Sequence, residues 1–147
     1  MSSQVAAGLT TAVVGGMIAL QAPINSHLGK STNTFTAALI SFSIGTVVLL
    51  GIVLVTGQLG DVSGIGNVRW YYLLGGVLGA AYVTTVLLTV RTLGAGGATA
   101  ATVAGQLTTA MVIDRLGVLG LDKTPITAPR VIGVILLFAG TALVIKT

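Results

Sequence analysis

Residues 31–60 read STNTFTAALISFSIGTVVLLGIVLVTGQLG, a run without one charged side chain. A helix needs about 20 apolar residues to cross the ~30 Å hydrocarbon core of a bilayer. This run is longer than that. Its centre, Val47-Val48-Leu49-Leu50, is continuously apolar, whereas barrel strands alternate over about ten residues. In hydrocarbon the backbone must satisfy its own hydrogen bonds, so the run predicts a transmembrane helix.

The rest of the chain follows the same punctuation. Charged residues stand at 30, 61, 69, 91, 114, 115, 122, 123, 130 and 146. Residues 5–26, 70–90 and 92–113 carry no charge either. The last run, 131–145, is shorter, and Arg130 and Lys146 extend it by snorkelling to the interfaces. Five helices are expected, near 5–27, 34–57, 69–91, 95–114 and 128–146. They form one all-α integral membrane domain over residues 1–147. Turn residues fill the connections: Gly57, Gly60, Gly64 and Gly66, then Pro125 and Pro129. Only Leu93-Gly94-Ala95-Gly96-Gly97 separates the third and fourth spans, which predicts antiparallel neighbours.

Composition agrees. Of 147 residues, 7% are charged and 54% apolar, and the mean hydropathy is +1.03. A soluble domain carries about a quarter charged residues. The carboxylates are Asp61, Asp114 and Asp122, with no glutamate. Without cysteine, disulfides and thiolate chemistry are excluded, and a lone histidine, His27, excludes a multi-histidine metal site within one chain. No catalytic residue, metal or cofactor is expected. The N-terminus has no Lys or Arg ahead of its apolar run and is not read as a signal peptide. The cations are scattered singly, which argues against nucleic-acid binding.

Five spans put the chain ends on opposite faces. One face then holds Arg69, Arg115, Lys123 and Arg130, and the other Lys30, Arg91 and Lys146: four against three. The positive-inside rule needs an excess to fix orientation. A difference of one leaves two readings open, weak orientation one way or insertion both ways. In the second, two inverted copies can pair about an axis in the membrane plane, as the repeats of secondary transporters do.

Small-xxx-small pairs occur at Gly75/Gly79, Gly76/Ala80 and Ala101/Gly105, and point to helix contacts. The polar residues inside the spans are more informative. Gln21 and Asn25 share a face of the first helix at i, i+4, and Pro23 between them withholds a donor from the Ala19 carbonyl. Either this is a polar binding spot, or the helix ends at Ala22 and these side chains sit among headgroups; Val5 to Ala22 already spans about 27 Å. Thr34, Ser41 and Gly45 line one face of the second helix. Gly75, Gly79, Tyr82, Thr85 and Thr89 form a stripe on the third. Thr99, Thr102, Gln106 and Thr109 do so on the fourth. A buried amide such as Gln106 must face protein, water or ligand. Asp114 is a candidate proton or cation carrier, with an interfacial ion pair to Arg115, Arg91 or another arginine as the commoner alternative. Trp70, Tyr71 and Tyr72 read as an interfacial aromatic belt.

Several blocks resemble one family. Gly16-Met-Ile-Ala-Leu-Gln21-Ala-Pro-Ile-Asn25-Ser-His-Leu-Gly29 is similar to the first helix of the YdcZ-like proteins. Ala38-Leu-Ile-Ser41-Phe-Ser-Ile-Gly45-Thr is similar to their second. Gly75-Gly76-Val-Leu-Gly79-Ala-Ala-Tyr82, Ala104-Gly105-Gln106 and Ile113-Asp114-Arg-Leu-Gly117-Val-Leu-Gly120 continue the match along nearly the whole chain. The resemblance implies a five-span bacterial inner-membrane protein of the EamA-like drug/metabolite transporter superfamily. It also implies a half-transporter that pairs with a second, inverted copy into a ten-helix assembly. Four-span multidrug relatives carry a glutamate in their first helix; here the comparable helix carries Gln21.

The expected function is therefore a secondary-transporter subunit, exporting a small metabolite or drug-like compound between two inverted copies. Its partners are the lipid bilayer, the second copy and the small-molecule substrate. The substrate-binding candidates are Gln21, Asn25, Ser41, Tyr82 and Gln106, with Asp114 as the candidate coupling acid. A passive dual-topology channel and a non-transporting membrane subunit are the alternatives.

Overall fold

Helix α1 runs from Ser3 to Ser31 without a break at Pro23. The computed structural model describes residues 3–146. At 1.5 Å per residue α1 is about 43 Å long. Proline leaves one carbonyl, that of Ala19, without its usual donor, and membrane helices tolerate this where neighbours compensate. The alternative in which the first helix stops at Ala22 is excluded. Gln21 and Asn25 both lie within a regular helix.

Two residues connect α1 to α2, which spans Thr34–Val55. Asn33 is extended (φ −157°, ψ 171°), and its side chain accepts the Thr36 amide hydrogen at 2.9 Å. That satisfies one of the orphan donors at the helix start. At the far end Thr56 N–H bonds the Ile52 carbonyl, and Gly57 adopts φ +72°, a left-handed terminator open to glycine. The helix thus ends two residues earlier than the expected 57. Residues Gln58–Asn67 and Trp70–Leu73 form 3-10 turns. There the Trp70 ring meets Tyr71 edge to face, and Tyr71 and Tyr72 pack at a tilt.

Helix α3 covers Leu74–Leu116 and is interrupted at Gly94 (φ +68°, ψ 171°). That backbone region is essentially reserved for glycine. A single residue, not a five-residue loop, therefore separates the expected third and fourth spans. Unbroken, α3 would be about 65 Å long, twice the hydrocarbon thickness. After a loop, α4 runs Ala128–Lys146 as expected. Four helices are long and apolar enough to cross a membrane, counting α3 and the turn before it as one. Their apolar side chains point outward: Val13, Val47, Leu78 and Leu143 are each 69% exposed, as lipid-facing residues would be.

Contacts divide the chain into two units, one ending at Arg91 and one beginning at Thr92. In the first, Ala37, Ala38, Val83 and Leu87 form the core, with Leu28 and Tyr82 against it. Alanine at the α1–α2–α3 contacts permits close backbone approach, the main source of helix association in lipid. Gly29 is buried for the same reason. A Cβ there would lie 2.8 Å from the Arg91 guanidinium and 3.6 Å from Ala37 Cβ. Arg91 thus lies over the last turn of α1, where the helix dipole favours a cation.

In the second unit Ala98 and Ala104 are buried, and Gly97 approaches Ile145 within 3.3 Å of where its Cβ would be. The buried Thr141 hydroxyl donates to the Ala100 carbonyl at 3.2 Å and ties α4 to α3. The Asp114–Gly120 segment is a helix terminator. Gly117 has φ +63°, and a Cβ on it would collide with Lys123. The Asp114 carbonyl accepts the Thr124 amide hydrogen, and its carboxylate meets Arg130 at 3.3 Å.

The small-residue expectation needs correction. Gly79 packs on Phe42, but a methyl group added to Gly75, Gly76 or Gly105 would meet nothing within 4 Å. Ala80 and Ala101 are exposed. The small residues that carry contacts are Ala22, Ala37, Ala38, Gly29, Gly97, Ala98 and Ala104. Spacing alone marks a smooth face; it does not say which neighbour occupies it.

Candidate functional site

The first unit gathers four of the expected site residues. Gln21 and Asn25 come from α1, Ser41 from α2 and Tyr82 from α3. Asn25 is 5% exposed and donates from Nδ2 to Ser41 Oγ at 3.1 Å. That bond satisfies a buried amide and fixes the register of α1 against α2. It leaves the Ser41 hydroxyl proton free to donate elsewhere.

Gln21, one turn from Asn25, is exposed and makes no hydrogen bond among the described residues. It borders two spaces. A cavity of about 230 Å³ is lined by Gln21, Ser41, Phe42, Gly45, Thr46 and Leu49. A niche of about 10 Å³, barely room for one water, lies beside Gln21, Asn25 and Tyr82 against Val83 and Leu87. No charged residue lines either space.

The depth of these groups follows from helix geometry. Gln21 precedes Lys30 by nine residues within α1, about 13.5 Å. Tyr82 precedes Arg91 by nine within α3, again about 13.5 Å. Arg91 and Lys30 belong to one level, because Arg91 touches the last turn of α1. Cations near helix ends anchor at the interface, and half the hydrocarbon core is about 15 Å. Gln21 and Tyr82 thus each stand about 13.5 Å along their helix from a cation. Ser41 lies seven residues into α2, about 10 Å from its start.

Gln106 and Asp114 belong to the second unit. Gln106 is exposed and has no hydrogen-bond partner among the described residues. It too precedes a cation, Arg115, by nine residues. Asp114 is the interfacial ion-pair partner of Arg130, with side chains 34% and 40% exposed. Among the described residues no group of acidic and histidine side chains is arranged to hold a metal.

The family model described as "Putative inner membrane exporter, YdcZ" matches residues 6–143. The chain belongs to the YdcZ family. With its long apolar helices, this YdcZ-family member is a multi-pass inner-membrane protein of an exporter family. Comparison with curated proteins and with solved structures finds no match. Two features of this YdcZ chain escaped the spacing argument. One is the Asn25–Ser41 bond, which depends on register between helices. The other is the matching nine-residue step from Gln21 to Lys30 and from Tyr82 to Arg91 within the first unit.

Proposed function

We propose that this YdcZ-family chain is half of a secondary transporter whose cargo passes Gln21, Asn25, Ser41 and Tyr82. The carrying observation is the Gln21 amide, without a side-chain partner among the described residues, beside an open cavity and about 13.5 Å along α1 from Lys30. An amide left in hydrocarbon costs several kcal/mol. Water or a passing solute offsets that cost; an acyl chain does not. The Asn25–Ser41 bond joins α1 to α2 at the edge of the cavity.

In this reading the interruption at Gly94 makes α3 two crossings, for five in all. A second, inverted copy completes the path. Three features support it: the near balance of Lys and Arg across the faces, the uncovered glycines at 75, 76 and 105, and the unpaired Gln106. Gln106 remains a candidate cargo contact of the second unit, and alternating access is rocking of one bundle against the other. Asp114, tied to Arg130, acts as a structural end of α3; its service as coupling acid would require that pair to open.

The test is paired. Gln21→Leu and Gln106→Leu are expected to keep the protein folded while abolishing transport in proteoliposomes. Unchanged transport in both removes the site. The chain has no native cysteine, so cysteines introduced at each terminus report topology cleanly. Labelling of both termini from both sides supports inverted pairing; labelling of each from one side alone contradicts it.

A further inference from the structure

The 230 Å³ cavity between α1 and α2 carries a chemical signature beyond its place on the transport path. Its three polar side chains are not equivalent. Thr46 donates its hydroxyl to the Phe42 carbonyl at 2.8 Å and is committed to its own helix. Ser41 already accepts from Asn25, so what it offers is its O–H. Gln21 is uncommitted and offers both a donor and an acceptor. Phe42, Gly45 and Leu49 supply an apolar wall. No side chain in the lining carries charge, so an ionised solute would be desolvated with no counter-ion.

Size is compatible with a small ring. A cavity of about 150 Å³ accepts benzene. The space here, about 230 Å³ and open on one side, takes a ring and a few further atoms.

We propose that this cavity binds a small, uncharged, amphipathic molecule bearing a hydrogen-bond acceptor, which receives the Ser41 hydroxyl and the Gln21 amide while its apolar end rests on Phe42 and Leu49. The proposal rests on the transport-site reading above and sharpens it to a substrate class. It places ions and zwitterions outside the cargo range.

Three isosteres separate the possibilities: benzyl alcohol, benzylammonium and benzoate, titrated against the purified full chain in nanodiscs with thermal shift as the readout. Benzyl alcohol is expected to stabilise the protein saturably, and the two ions not to. Ser41→Ala should weaken benzyl alcohol about tenfold, the loss of one hydrogen bond. Gly45→Leu fills the cavity and should abolish the effect. Gly45 has open space around it, so this variant is expected to fold. If an ion binds instead and Gly45→Leu abolishes it, the cavity remains the site and the neutral class is overturned. If no probe binds, or if binding ignores both substitutions, as for solvation of the lipid-facing surface, the cavity itself is overturned. Transport lost in Gln21→Leu alongside that last result would leave the transport site standing and place its cargo elsewhere.

Discussion

The two units of this chain treat a lone glutamine differently. The first surrounds Gln21 with a cavity, a free serine hydroxyl and a phenol. The second packs through Ala98, Ala104 and Gly97 and ties Thr141 to a backbone carbonyl. Both glutamines are exposed and without a side-chain partner among the described residues, but only Gln21 borders the pockets described above. Both units pack through small residues, Ala37, Ala38 and Gly29 in the first and Gly97, Ala98 and Ala104 in the second. In the first unit Phe42 and Tyr82 also border the spaces beside Gln21. Polar residues inside spans are thus equal in sequence but unequal in setting.

Substitutions can break this contrast, and the largest effect is expected at Gly94. Its φ of +68° with ψ 171° excludes a branched side chain, so Gly94→Val should cost about 3 kcal/mol. A lowered unfolding midpoint in detergent, followed by circular dichroism, checks it. Asn25→Ala acts on the first unit alone. It strands a buried contact and should cost about 1–2 kcal/mol, with loss of benzyl alcohol binding as the cavity relaxes. In the second unit, Thr141→Val removes the bond to Ala100 and should cost only about 0.6 kcal/mol, typical of interhelical bonds in lipid. If Thr141→Val proves worse than Asn25→Ala, the units do not differ in the manner described. The smallest effect is expected at Asp114→Asn. Its pair with Arg130 is well exposed, and such pairs contribute about 0–1 kcal/mol, screened by salt. Comparing midpoints at low and high salt measures that contribution.

Much of the fold was legible from the charges. The runs between them locate α2 and α4 within a residue or two, because the hydrocarbon thickness sets helix length directly. The expected first helix, near 5–27, already passed Pro23, but an end at Ala22 stayed open, since proline ends helices in water and is tolerated in membranes where neighbouring groups compensate. The reduction of a five-residue link to Gly94 was not legible, since it required knowing that one glycine would carry the whole change of backbone direction. Within the candidate site, the polar stripes named side chains on α1 and α2 that the structure brings together. Their pairing was hidden, because Asn25 and Ser41 meet only through the register that the two-residue turn at Thr32-Asn33 imposes. The small-residue pairs were misleading for a related reason. Gly75, Gly76 and Gly105 are smooth surfaces without an occupant in the single chain.

The central claim is that Gln21 faces a water- or solute-accessible space, not lipid. In this cysteine-free chain, Gln21→Cys and Leu20→Cys differ by one position, and Leu20 is 63% exposed on the outer surface. With a charged, membrane-impermeant thiol reagent on proteoliposomes, the account predicts that Gln21→Cys is modified and Leu20→Cys is not. Both positions remaining unmodified would contradict it.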